Sequence, residues 1–185
     1  ILRGITPITR EIALPLYVAV STDTGCFQYS NTTPATHRVA ADLMETGIDA
    51  QKANKLHFRT KSLKRLKLES LIVDTMDLHD DGAIAIAAIS LADMARLEAD
   101  ERDAEDIAAF VGQLEGVHTS VTIRELKDGA CKLSVRTDET LNATKVCALL
   151  GGGGHAAAAG CTVPGTVEEA KAAIMDAIRK VQVNA

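Results

Sequence analysis

Tryptophan is absent from the 185 residues, and two tyrosines and three phenylalanines hold the aromatic share to 3%. Rings on which bases stack are therefore scarce, which disfavours a broad platform for single-stranded nucleic acid. Long apolar runs are missing as well: a membrane span needs roughly 18–20 apolar residues, and the richest stretch, AIAIAAISLADMA, is interrupted at Asp93. The N-terminal stretch has none of the basic, apolar and cleavage regions of a secretory signal. A cytoplasmic protein without a membrane partner is expected. Cys26, Cys131, Cys147 and Cys161 are widely spaced with no CxxC pair, which argues against a zinc knuckle or a disulfide framework and for reduced thiols. Excess positive charge is also lacking. The net charge of −5 argues against a long basic groove, yet leaves room for a compact site holding a few phosphates. Residues 1–77 carry +2 and residues 78–185 carry −7, an asymmetry that fits two units.

What is present suits a packed core: 46% of the residues are hydrophobic, enough for one good-sized domain or two small ones. Residues 4–16 predict a helix with Thr6 as cap and Pro7 at its first position, limited by Pro15. Tyr17–Val20 then reads as a short buried strand that delivers Asp23, Thr24 and Gly25 to its carboxyl end, a position from which a carboxylate reaches a metal. Turn formation is the competing reading of Asp-Thr-Gly. Thr33 and Pro34 open a second helix that Gly47 stops, with His37 in its first turn as a surface or capping residue. Asp49 opens a third helix. Residues 61–76 space Leu63, Leu66, Ile72, Val73 and Met76 as a connector helix, its Lys61, Lys64, Arg65 and Lys67 forming a solvated face. His79-Asp80-Asp81-Gly82 reads as a linker turn.

Residues 83–90 predict a buried strand, and two helical segments follow up to Gly116. Two alternating runs around Asp128-Gly129 predict a hairpin whose second strand carries Ser134 and Arg136. Asn142 begins a helix leading into GGGGHAAAAG, residues 151–160. Four successive residues without Cβ bring backbone N–H groups against a ligand, so this run is expected to cradle an anion, with His155 adding a side-chain donor. A tight connection is the competing reading. A strand at 161–163 and a helix capped by Thr166 complete the chain.

Asp23-Thr24-Gly25-x-Phe27, Ser134-x-Arg136 and Gly151–His155 followed by Ala158-Ala159-Gly160 resemble the DHH phosphoesterase superfamily with its associated C-terminal domain. Within it the likeness is to the bifunctional oligoribonuclease and pAp phosphatase subgroup, the nanoRNases, and it covers nearly the whole chain. The resemblance implies an α/β protein: the C-terminal part of a DHH domain, a strand plus helices, over residues 1–60; a connector helix and linker over 61–81; and over 82–185 a DHH-associated substrate-binding domain with a mixed sheet. It implies two Mn²⁺ ions that activate water for phosphoester cleavage. Asp23 would be a catalytic metal ligand, while Ser134, Arg136, Asn142, Gly152, Gly153, Gly154 and His155 would bind substrate.

The family's three earlier metal motifs, including Asp-His-His, have no counterpart in this sequence, and the chain resembles the C-terminal part of a longer protein. The expected parent enzyme hydrolyses short oligoribonucleotides or 3'-phosphoadenosine 5'-phosphate (pAp). This portion is expected to bind substrate with little hydrolysis of its own, because one carboxylate does not hold two metals. A cyclic-dinucleotide phosphodiesterase and a non-catalytic nucleotide- or RNA-binding module are the alternatives, the latter because a related domain occurs in alanyl-tRNA synthetases. The sequence leaves room for a homodimer.

Overall fold

A computed structural model describes residues 6–105, 107–138 and 140–183. The chain divides into two compact units, Ile1–Lys61 and Ser62–Ala185.

The first unit is helical: α1 (Arg10–Asp23), α2 (Pro34–Met44) and α3 (Ala50–Asn54), the last running into a π-helical turn at Lys55–Arg59. The expected start of the first helix, residues 4 and 5, lies outside the described residues. The helix itself begins at Arg10 with Thr9, not Thr6, at its cap. Tyr17–Val20, expected to be a strand, is helical, and no strand occurs among the described residues of this unit. Ala13, Tyr17 and Ser21 recur every four residues and are buried, and Ala13 and Tyr17 pack with Ala40, Leu43, Ile48, Ala50 and Ala53. That helical period and its tertiary burial outweigh the β preference of Tyr and Val. Pro15 lies inside α1; it removes one helical donor, and the packing carries the helix through. The Asn54 amide then ties α3 to α1, donating to the Tyr17 hydroxyl at 3.0 Å and accepting from Ser21 Oγ at 2.8 Å. Thr33 caps α2 by accepting from the Thr36 N–H at 3.2 Å, and Asp49 caps α3 by accepting from the Lys52 N–H at 2.8 Å.

The second unit is α/β with a mixed sheet. Its elements are α4 (Leu63–Thr75), β1 (Asp77–His79), β2 (Ile84–Ile89), α5 (Leu91–Arg96), α6 (Ile107–Val111), β3 (Thr119–Glu125), β4 (Ala130–Thr137), α7 (Ala143–Ala148), β5 (Gly153–His155), β6 (Ala158–Pro164) and α8 (Val167–Val183). Among the described residues six strands form one sheet in the order β1-β2-β3-β4-β6-β5. Only β2 and β3 pair in parallel; α5 and α6 make the crossover that a parallel pair requires.

The helix expected as a connector lies within this unit. Leu68 and Ile72 of α4 are fully buried against Ala85, Ala87 and Ile89 of β2 and Ile107 and Val111 of α6, whereas Leu63, Leu66 and Val73 are exposed. Arg65 is likewise not on a solvated face: its Nε lies 2.7 Å from Glu69 Oε1, and its Nη1 donates to the carbonyls of Asp103 and Glu105. His79–Gly82 does not link units but turns a hairpin, because Asp77–His79 pairs antiparallel with Ile84–Ile86. Helices α7 and α8 cover the sheet's other face, where Ile86, Val121, Ile123, Leu133, Val146, Ile174 and Ile178 build the main core. Thr166 and Glu169 form a reciprocal box at the start of α8, the Thr166 N–H donating to Glu169 Oε2 at 2.7 Å and the Glu169 N–H to Thr166 Oγ1 at 3.3 Å.

Candidate functional site

Strand β4 alternates strictly. Cys131, Leu133 and Val135 are fully buried toward α7 and α8, so Lys132, Ser134 and Arg136 project from the opposite face. Pairing carries that face across the sheet. Arg136 lies opposite Ala158 and Ala158 opposite His155; one step along, Ser134 lies opposite Gly160 and Gly160 opposite Gly153. Directly paired residues point to the same side, so the fold brings Ser134, Arg136, Gly153 and His155 together on one surface. Between them Ala158 and Gly160 leave a shallow floor. His155 and Gly153 are exposed, and Ser134 and Arg136 half-buried. The Arg136 guanidinium donates to the Val135 carbonyl at 3.3 Å.

The glycine run divides into two parts. Gly151, at φ +74°, donates its N–H to the Ala148 carbonyl at 3.2 Å, and Gly152 donates to the Cys147 carbonyl at 2.8 Å. These paired bonds are the Schellman termination of α7. The expected cradle of N–H groups is therefore corrected: two of the four donors close a helix, and residues 153–155 form an edge strand. Gly152 faces the core side, where a Cβ would stand 2.2 Å from the Gly160 carbonyl oxygen and 2.5 Å from Cys161 Cβ. A Cβ on Gly154 would stand 2.6 Å from the Ala158 carbonyl oxygen, whereas one on Gly153 would meet nothing within 4 Å. The four glycines therefore divide into packing positions, 152 and 154, and positions with open space, 153 and the left-handed helix end at 151.

The turn at Ala156-Ala157 is anchored from both sides. Its carbonyls accept from the Ala143 N–H at 2.7 Å and the Thr137 N–H at 3.0 Å, and Thr137 Oγ1 donates to Ala156 at 3.1 Å. Asn142 stands at the start of α7, where its Oδ1 accepts the Lys145 N–H at 3.1 Å; its side chain works as a helix cap.

Ser134 and Arg136 also line a cavity of about 330 Å³, whose other polar walls are Thr122, Arg124 and Lys132 from the strands and Glu101, Arg102 and Glu105 from the α5–α6 connection. Arg124 pairs with Glu101 at 2.6 Å. Sequence reading passed over Arg124 and Lys132, although the alternation that exposes Ser134 and Arg136 exposes Lys132 as well. It also passed over His118, whose Nδ1 lies 2.6 Å from Asp138 Oδ2 near the end of β4. Partial burial raises the Asp138 carboxyl, but hydrogen bonds from the Thr140 hydroxyl and N–H and from His118 outweigh it and hold it below the ordinary range. Behind the glycines, Cys147 and Cys161 are buried; a hydrogen bond with Cys161, then burial, pushes the Cys147 thiol up, so it stays protonated and inert.

Asp23 belongs to the other unit. It ends α1, and Asn31 Nδ2 donates to its carbonyl at 3.1 Å and to its Oδ2 at 3.0 Å. Gly25, Cys26 and Phe27 follow at φ +55°, +58° and +67°, a left-handed turn fixed by the Cys26 N–H on the Ser21 carbonyl at 2.7 Å. Phe27 stacks on His37, centroids 5.1 Å apart, which gives that histidine a packing role. Among the described residues no three His, Cys, Asp or Glu side chains converge as a metal-binding group. Asp23 with Asn31 does not fit a two-metal centre.

A family model described as the DHHA1 domain matches residues 81–184, more than half of the chain. The chain belongs to the DHHA1 family. The DHHA1 match embraces β2 through α8, and so all of the surface around Arg136. Over 174 residues the chain is 34% identical to the bifunctional oligoribonuclease and PAP phosphatase NrnA of Thermus thermophilus, covering 93% of this chain and 51% of that protein. The chain thus spans about half the length of this curated relative. Among solved structures, that of an exopolyphosphatase-related protein from Bacteroides fragilis matches with a TM-score of 0.88 at 25% identity, over 95% of this chain and 52% of that one. No helix among the described residues of the DHHA1 chain is long and apolar enough to cross a membrane.

Proposed function

We propose that this chain is the substrate-binding portion of a DHH-type phosphoesterase, and that the row Arg136, Ser134, Gly153 and His155 holds a phosphate of a short oligoribonucleotide or of pAp. The observation that carries this reading is the cross-strand pairing that sets Arg136 and His155 on the two sides of a floor of small residues. An arginine, a hydroxyl and an imidazole are phosphate donors, and the floor lets a ligand approach the backbone. The Thermus relative, an oligoribonuclease and PAP phosphatase by name, supports the choice of substrate. Asp23 would supply one ligand to a divalent metal, Mn²⁺ by family resemblance, whose other ligands the described residues do not provide. The chain is therefore expected to bind without appreciable turnover.

Calorimetric titration with pAp tests the reading. The wild-type chain should bind; Arg136→Ala should weaken binding about 10- to 100-fold, the worth of a hydrogen bond to a charged group, and His155→Ala should weaken it less. Binding that ignores Arg136 would sink the proposal. Mn²⁺-dependent hydrolysis of pAp by the chain, abolished by Asp23→Ala, would overturn its non-catalytic part.

A further inference from the structure

The cavity that Arg136 lines also holds cations that the row across β4, β6 and β5 does not use. Lys132 precedes Arg136 by four residues on one strand face, with Ser134 between, and Arg124 stands directly opposite Lys132 on β3. Side chains two apart on a strand stand about 7 Å from each other, close to the separation of successive phosphates on an extended single strand. Lys132 is exposed and makes no ion pair with a described residue. Arg124 is 17% exposed, and its carboxylate partner among the described residues, Glu101, is 78% exposed on the connection between α5 and α6. Glu101 thus holds the guanidinium in place from the solvent side of a cavity that Thr122 and Ser134 furnish with hydroxyls. The cavity of about 330 Å³ is continuous with Ser134 and Arg136, so a strand held at Arg136 has room to run on toward Lys132 and Arg124.

We infer that Lys132 and Arg124 form a second phosphate subsite, about two phosphate repeats from Arg136, that makes the chain favour oligoribonucleotides longer than a dinucleotide over pAp. This rests on the phosphate-binding reading of Arg136 and adds to it a determinant of substrate length. A longer strand enters with its first phosphate at Arg136 and runs along β4. Its second phosphate passes Ser134, its third meets the Lys132 ammonium and the Arg124 guanidinium, and Glu101 yields toward solvent. Phosphate contacts of this kind fix register without reading sequence, so the subsite selects length and not base.

The test is calorimetric titration of the full 185-residue chain with pAp and with a 5'-phosphorylated tetra-adenylate, each at several salt concentrations. Wild type should bind the tetranucleotide at least about tenfold more tightly than pAp, with a steeper salt dependence; each phosphate contact on a single strand adds about 0.7 to the slope of log K against log salt. Lys132→Ala should remove most of the preference and about 0.7 of that slope while leaving pAp affinity within about twofold; Lys132→Arg should restore both. Arg124→Gln should act in the same direction. The inference falls if Lys132→Ala weakens pAp as much as the tetranucleotide, or if it leaves tetranucleotide affinity and slope unchanged. Equal wild-type affinity for the two ligands overturns the length subsite and leaves the phosphate reading of Arg136 standing. Failure of wild type to bind either overturns both.

Discussion

The two faces of β4 use the same eight-residue strand for opposite purposes. Toward α7 and α8 it offers Cys131, Leu133 and Val135, all fully buried; on the other side it offers Lys132, Ser134 and Arg136, exposed or half-buried. Because the side-chain period is two, a shift of one residue would exchange the faces. The buried set therefore fixes the register that aligns Arg136 with Ala158 and His155. Recognition on one face depends on hydrophobic packing on the other, and substitutions should separate the two contributions.

The largest effect is expected on the buried face. Leu133→Ala should cost about 2–5 kcal/mol in urea denaturation, as fully buried leucines do, and an unchanged midpoint would break the comparison. Next comes Gly152→Ala, whose new Cβ would meet the Gly160 carbonyl oxygen at 2.2 Å. It should cost about 1–3 kcal/mol as an overpacking change, while Gly153→Ala on the open side should stay within about 0.5 kcal/mol. Equal costs at the two glycines would show that the run is one loop and not a helix end joined to a strand. Asn142→Ala should cost about 1 kcal/mol through the lost cap of α7, read by thermal melting. Arg136→Ala, by contrast, should leave the melting temperature nearly unchanged while depressing nucleotide binding; a large loss of stability would move Arg136 to the packing side of the comparison.

The smallest effect is a pH dependence at the rim. Asp138 is held below its ordinary value of 3.8, so its interactions contribute stability above that value and lose it as pH falls through the lowered folded pKa. For a pair this exposed the loss should not exceed about 1 kcal/mol. Melting curves between pH 5 and pH 2 should show a small acid-side decline that Asp138→Asn diminishes; an identical decline in the variant would remove the pair from the account.

Legibility in the sequence followed the local signals. Thr33, Asp49, Asn142 and Thr166 each cap the helix that their position indicates, and Asp128-Gly129 turns the β3–β4 hairpin, Gly129 at φ +80°. Local chemistry failed where tertiary contacts decide. Tyr17–Val20 has strand-forming residues, yet the four-residue recurrence of Ala13, Tyr17 and Ser21 was the stronger signal. Strand β5 was hidden because glycine carries no pattern to read; only its pairing with β6 makes it a strand. The site was legible as residue types and not as geometry: Ser134, Arg136 and His155 stood out and the alternation of β4 exposes Lys132 too, while the division of labour among the glycines and the placing of Arg124 opposite Lys132 emerged only from strand pairing.

The three residues of β5 also bear on assembly. A sheet edge displays unpaired backbone donors and acceptors to any strand that approaches, and proteins blunt such edges by brevity, charge or curvature. Here the outer strand is only Gly-Gly-His, and the opposite edge, β1, is Asp-Leu-His, with Asp77 held by Lys171 at 2.8 Å. Both ends of the sheet are thus too short and too poor in strand-forming side chains to template another chain. The two glycines of β5 also make this edge a poor seed for aggregation, and replacing Gly153 and Gly154 with valines would be expected to remove that protection.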